Sequence, residues 1–133
     1  IQIMSDSTSN LFLAIVAKEN NRHIGNIKLG SINPIHRTAD IGIIIGEKDY
    51  WGQGLASEAI NLLADYAFDA IGLHKLTAGA YTTNKASIRA FKKSGFNIEG
   101  ILKEQCVSND RRIDVALMSR LCKTANNTRK VSS

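Results

Sequence analysis

Proline, cysteine and histidine are all scarce in this sequence, and each scarcity closes off a class of protein. Pro34 is the single proline, and no repeat or low-complexity tract accompanies it. The chain therefore reads as one domain spanning 1–133, with a core over about 11–121 and a polar tail over 122–133. Cys106 and Cys122 stand in no metal or redox spacing. His23, His36 and His74 are dispersed, so no metal is expected. No apolar run is long enough to span a bilayer and no signal-peptide pattern is present, so the expectation is a cytoplasmic protein with no membrane partner.

Charge of one sign is in excess without being concentrated. The formal net charge is +5, with 22% charged and 44% hydrophobic residues, an ordinary balance for a globular domain. Basic pairs such as Lys92-Lys93 and Arg111-Arg112 occur, but no basic run interleaved with aromatics does. That pattern argues against nucleic acid as a partner.

What the sequence does hold is a strand, a glycine loop and a helix in succession. Ile41-Gly-Ile-Ile-Ile45 has the length and β-branching of a buried strand. Trp51-Gly52-Gln53-Gly54-Leu55-Ala56 follows as a short loop. Leu55, Ala59, Ile60, Leu62, Leu63, Tyr66, Ala67, Ala70 and Ile71 then recur at helical spacing until Gly72. Glycines let a phosphate approach the backbone, and the first helical turn offers unpartnered amides and the positive end of the helix dipole. The third glycine of a dinucleotide fingerprint is missing, and so is the Lys-Ser/Thr pair of a P-loop. On the loop alone, a phosphate site and a plain strand-to-helix turn are equally good readings.

The next segment changes the balance. Lys75-Leu-Thr-Ala-Gly-Ala-Tyr81 reads as a strand, followed by Asn84-Lys-Ala-Ser87-Ile-Arg-Ala-Phe91-Lys-Lys-Ser-Gly95-Phe96. Together the two segments resemble the GNAT superfamily of acetyl-CoA-dependent N-acyltransferases. One family pattern, Arg/Gln-x-x-Gly-x-Gly/Ala, corresponds to residues 51–56. A second, Asn-x-x-Ser/Ala-x-x-x-Tyr/Phe-x-x-x-Gly-Phe, corresponds to Asn84, Ser87, Phe91, Gly95 and Phe96. Tyr-Trp-Gly-Gln-Gly-Leu-Ala-Ser-Glu-Ala is most similar to the branch holding ribosomal-protein, spermidine and amino-sugar acetyltransferases. The resemblance covers about residues 11–121, and Trp51 stands where many members carry Arg or Gln.

The element order fits an α/β (α+β) fold with a mixed, mostly antiparallel sheet. Strands are expected over 11–17 and 23–32, joined by a Glu19-Asn20-Asn21-Arg22 turn, and over 39–46 after a loop at Pro34. A helix is expected over 56–71, a strand over 75–81, and a second helix between an Asn84 N-cap and a Gly95 stop. A hairpin of 96–107 and 112–121 closes the fold, and residues 1–10 read as a loop or the tail of a helix. The strand-helix-strand crossover is the expected source of parallel pairing. The resemblance implies that 41–46 and 75–81 splay apart, with the pantetheine arm of CoA in the gap. It also implies that a strand and two helices precede Ile1 in the family.

For the cofactor, the resemblance implies contacts from Trp51, Gly52, Gln53, Gly54, Leu55, Ala56 and Ser57 to the pyrophosphate. It implies strand amides of Ile43, Ile44 and Ile45 for the pantetheine and acetyl oxygen, and Asn84, Ser87 and Phe91 along the arm. Asn84 is equally well explained as a helix cap, and Trp51 as a packing residue. Acyl transfer to an amine also needs a proton acceptor and a donor to the thiolate. Asp40 lies at the distance before Gly54 at which several family members carry a glutamate base. Its alternative is a solvated strand-end carboxylate, and Glu47 and Glu104 are further candidates. Many members use a tyrosine acid where this chain has Phe91, which leaves Ser87 or Tyr81 as donor. Ser87 is also explained by satisfying helix amides. Cys106 reads as a small buried hydrophobe rather than an acyl acceptor.

The activity implied is transfer of an acetyl group from acetyl-CoA to a small-molecule or peptide amine by direct attack. The alternative is a non-catalytic acyl-CoA-binding regulator. Dimers are common in the family, so a homodimer is compatible with the resemblance.

Overall fold

The structure, a computed structural model, describes residues 2–5, 10–18, 21–45 and 54–122. Seven strands form one sheet: β1 (Gln2–Ser5), β2 (Leu11–Val16), β3 (His23–Asn33), β4 (Thr38–Ile45), β5 (Lys75–Tyr81), β6 (Asn97–Ser108) and β7 (Arg111–Leu121). Their spatial order is β1-β2-β3-β4-β5-β7-β6. Every pairing is antiparallel except β4 with β5. The crossover between those two carries helix α1 (Leu55–Tyr66), which continues as a π-helical turn over Ala67–Ile71. Helix α2 (Lys85–Lys93) joins β5 to β6. Among the described residues no helix is long and apolar enough to cross a membrane.

Turn chemistry fixes the connections. Asn21 has φ 57, the left-handed conformation that asparagine tolerates. Asn109 and Asp110 have φ 53 and 61 between the paired Ser108 and Arg111, a two-residue turn whose twist matches that of the strands. At the proline loop the Asn33 side-chain oxygen accepts from the amides of Ile35 and His36, at 3.0 Å each. The Arg37 carbonyl then accepts from His74 N at 2.7 Å and Lys75 N at 3.3 Å, which ties the start of β4 to the start of β5. The helices stop at glycines: Gly72 has φ 84 and Gly95 φ 89.

One expectation is corrected here. Residues 2–5 are neither loop nor helix tail but an edge strand, with Gln2 opposite Ala14 and Ser5 opposite Leu11. Four residues are too few to show a period, and what holds them is the open edge of β2.

Both helices pack on one face of the sheet and on each other. Alternation along the strands sends Ala39 and Ile41 of β4, Leu76 and Ala78 of β5, and Ala116 and Met118 of β7 into that layer. They meet Ala59, Ile60, Leu63 and Ala64 of α1 and Phe91 of α2. Arg120, also on this face, reaches up between the helices. Its Nη1 donates to Asn61 Oδ1 at 3.2 Å and to the Ser94 carbonyl at 3.0 Å. Its Nη2 lies 3.8 Å from Asp65, and its guanidinium 5.4 Å from the Phe68 ring centroid.

The other face carries the alternate residues: Asp40, Gly42 and Ile44 on β4, Thr77, Gly79 and Tyr81 on β5, and Leu117 and Ser119 on β7. Glu99, at a bulge in β6, joins this face to the lower strands. The Ser119 hydroxyl donates to its carboxylate, and Lys75 Nζ lies 2.9 Å away. The Ser119 hydrogen bond first, then Lys75, hold Glu99 below the usual carboxylate range.

Two outcomes follow from these ties. Arg120→Met leaves the Ser94 carbonyl and Asn61 without their donor, and should lower the free energy of urea unfolding by about 1–3 kcal/mol with the far-UV spectrum unchanged. Because Glu99 binds its proton more weakly folded than unfolded, its stabilisation is full above the ordinary glutamate range and is lost as the pH falls through the lowered folded value. The Tm gap between the wild type and Glu99→Gln should therefore narrow as the pH falls from about 7 through the lowered folded value.

Candidate functional site

β4 and β5 run side by side for a short distance only. Thr38, Ala39 and Asp40 pair with Lys75, Leu76 and Thr77, and there the parallel ladder stops. Above that point β4 stays paired to β3, with Ile43 opposite Ile27, Ile44 opposite Asn26 and Ile45 opposite Gly25. β5 stays paired to β7, with Ala78 opposite Met118 and Tyr81 opposite Val115. Each strand is thus held on its outer side while a gap opens between them. Alternate backbone amides of a strand face each neighbour, so a strand that loses one neighbour presents donors and acceptors to whatever fills the gap. Ile43 is half-buried against the core, and the Ile44 side chain is 70% exposed on the opposite face. Ile45 is described only in its backbone.

Both helices begin beyond the carboxyl ends of the parting strands, the position at which open α/β sheets bind ligands. Gly54 is the N-cap of α1, with φ 79 and ψ 3, and no side chain caps the helix. The Gly54 carbonyl accepts from Glu58 N at 3.0 Å and from the Ser57 hydroxyl at 3.1 Å. The amides of Leu55, Ala56 and Ser57 belong to the first turn, where an α-helix supplies no internal acceptor. A Cβ on Gly54 would meet nothing within 4 Å, so backbone conformation rather than crowding favours glycine here. Trp51, Gly52, Gln53 and Glu47 lie outside the described residues.

The first turn of α1 is fixed from the other helix. Ser94, 2% exposed at the end of α2, donates its hydroxyl to the Ala90 carbonyl at 2.9 Å and to the Ser57 carbonyl at 3.2 Å. At the start of α2, Asn84 is the cap. Its side-chain oxygen accepts from Ser87 N at 3.1 Å, and its own amide donates to the Tyr81 carbonyl at 2.8 Å. The cap therefore uses the side chain of Asn84 and leaves its Nδ2 hydrogens for another acceptor. Ser87 takes part through its backbone amide, and its half-buried hydroxyl has no role in that cap.

Phe91 stands in the last turns of α2, at the aromatic position of its motif. Its ring is 2% exposed and packs edge-on against Phe96, with centroids 5.1 Å apart and planes at 71°. Without a hydroxyl to satisfy, the ring settles into the core instead of presenting an edge to the gap. Among the described residues it is a core side chain packed on Phe96.

Asp40 sits at the fork. It is the last residue of β4 paired to β5, and the Thr77 hydroxyl donates to its Oδ1 across the two strands. Thr77 was not singled out by sequence reasoning. Its signal was the alternation of β5, which puts residues 75, 77, 79 and 81 on one face, but the register against β4 is not written in either strand. Glu104 is far from the fork. It lies at a bulge of the edge strand β6, with φ 51, its amide donating to Asp114 Oδ1 at 2.8 Å. Two strand spacings, roughly 10 Å, separate β6 from β5. Tyr81 ends β5 at 39% exposure, and Cys106 is half-buried on β6.

Known proteins share this arrangement. A family model described as an acetyltransferase (GNAT) domain matches residues 2–97. The chain is 33% identical over 125 residues to an uncharacterized N-acetyltransferase, p20, of Bacillus licheniformis, covering 91% of this chain and 69% of that protein. It is 34% identical over 113 residues to a spermidine N(1)-acetyltransferase of Vibrio cholerae, covering 85% of this chain and 64% of that protein. A solved spermidine N-acetyltransferase from Vibrio cholerae, in complex with CoA and spermine, superimposes with a TM-score of 0.79 at 32% identity, over 86% of this chain and 66% of that one. Matched by the family model over residues 2–97 and by relatives at 33% and 34% identity, the chain belongs to the GNAT acetyltransferase family.

Proposed function

We propose that the protein moves an acetyl group from acetyl-CoA to a primary amine by direct attack. The observation that carries this reading is the fork: two strands that part after Asp40 and Thr77, with a glycine-capped helix opening beyond them. The pyrophosphate would be held by the amides around Gly54, Leu55, Ala56 and Ser57, where the helix dipole favours negative charge. The pantetheine would lie in the gap against β4, with Nδ2 of Asn84 donating to it. A net charge of +5 favours the approach of CoA phosphates.

In the reaction the amine nitrogen attacks the thioester carbonyl carbon, and the carbon–sulfur bond breaks. Of the three protons on the incoming ammonium, one stays on the amide, one replaces the proton that the Ser87 hydroxyl passes to the departing sulfur, and one goes to Asp40 and then to water. Asp40 is the proton acceptor in this reading, and Ser87 is the donor to sulfur. Strand amides near Ile43 to Ile45 would stabilise the oxyanion. Acceptors in keeping with spermidine and ribosomal-protein acetyltransferases among the relatives are a polyamine or a protein N-terminus, with an amino sugar as a third candidate from the family resemblance alone, in a cytoplasmic setting.

Calorimetric titration of acetyl-CoA into the folded full-length protein should give saturable binding, with ATP and NAD giving none. Equal binding of ATP would sink the cofactor assignment. Aminolysis of acetyl-CoA should then be seen with at least one of spermidine, glucosamine and an alanine-initiated peptide. Binding with no turnover in a broad amine panel would identify an acyl-CoA-binding regulator instead. Gly54→Ala should weaken acetyl-CoA binding by about 5- to 30-fold, because the bound loop would have to recover a left-handed φ costing an alanine about 1–2 kcal/mol.

A further inference from the structure

Resting on the reading of Asp40 as proton acceptor, we infer that Thr77 is its positioning residue. The hydrogen bond from the Thr77 hydroxyl to Asp40 Oδ1 crosses from β5 to β4 at the last paired position before the strands part. On its other side Asp40 is opposite Gly30 in the β3–β4 ladder. The backbone of Asp40 is therefore clamped between two strands, and the torsion of its side chain is what remains to be set. Thr77 sets it. Threonine is stiff at χ1, so its hydroxyl is a fixed donor. Its own backbone is held by pairing to Ser119 of β7.

The division of labour follows from the two carboxylate oxygens. Oδ1 is taken by Thr77, and Oδ2 has no hydrogen bond among the described residues. Oδ2 is the oxygen left to accept a proton. A proton acceptor must come within about 2.6–3.2 Å of the group it deprotonates. An aspartate carries one methylene fewer than the glutamate for which it stands, so it has less reach with which to correct a poor rotamer. A fixed donor on the neighbouring strand removes that need. The same bond staples the fork, since it joins the two strands at the point where their backbone ladder ends.

The test uses Thr77→Val, which keeps the shape and removes the hydroxyl, and Thr77→Ser, which keeps the hydroxyl. Aminolysis of acetyl-CoA is followed with spermidine, glucosamine and an alanine-initiated peptide. Thr77→Val should lower kcat by about 10- to 100-fold, the scale of a small misplacement of a reacting group. The Kd for acetyl-CoA should stay within about twofold, and Thr77→Ser should restore most of the rate. Asp40→Asn should lose about 10²- to 10⁴-fold, and adding Thr77→Val to it should cost nothing further if the hydroxyl acts through the carboxylate. Full activity in Asp40→Asn would remove the base reading and this proposal with it. An inactive Asp40→Asn beside a fully active Thr77→Val would leave the base reading standing and overturn the role of Thr77. So would losses that simply add in the double variant. Crystal structures of wild type and Thr77→Val give a readout free of turnover: the Asp40 carboxylate should leave its rotamer, and an unmoved carboxylate would overturn the proposal.

Discussion

The architecture turns on a parallel ladder that is allowed to run for three residue pairs and no further. Its lower end is pinned: the Arg37 carbonyl takes amides from both His74 and Lys75, so β4 and β5 must start together. Its upper end is opened by the outer partners, β3 for β4 and β7 for β5, which hold the strands along different lines. An unpaired backbone amide costs about 1–3 kcal/mol if it is buried dry. The parted edges are therefore stable only where water or a ligand reaches them. The core beneath does not depend on closing it. Ile41 and Leu76 are buried at 3% and 0% on the helical face regardless.

That helical face also sets the site. α1 and α2 follow the two parting strands, so their amino ends open at the same end of the sheet. Ser94 joins them by donating to the Ser57 carbonyl, and Arg120 closes on Asn61 and the Ser94 carbonyl from below. The α1 amino end is thus positioned by a serine and an arginine that would never touch a cofactor. Stability and ligand geometry share the same few hydrogen bonds.

How much of this was legible in the sequence depends on the length of the pattern that encodes it. The long alternating or helical runs, from Leu11 through Leu121, announce themselves, as do the glycine stops at Gly72 and Gly95 and the cap at Asn84. β1 was not legible, because four residues show no period and their pairing depends on the edge of β2. The site divides in the same way. Gly54 and Asn84 as helix caps were legible because each stands in a local motif, and Asp40 was singled out by its distance from one. The motif gives the position of Phe91 in the helix but not its packing on Phe96, since a motif does not state the face a ring will choose. Thr77 was missed because its importance lies in register between β4 and β5, a non-local quantity that neither strand states alone.

Three carboxylates among the described residues have a cationic partner, and the one at the fork does not. Glu99 is answered by Lys75, Asp114 by Lys103 and Asp65 by Arg120. Asp40 is bound instead to a neutral hydroxyl. A hydroxyl orients a carboxylate without cancelling its charge, whereas a lysine or arginine at the same distance would do both. The negative charge at the fork is thereby kept in place and left for an incoming cation. In the proposed reading an ammonium group would be the complementary partner, and the positive charge elsewhere on the chain would suit the phosphates of acetyl-CoA.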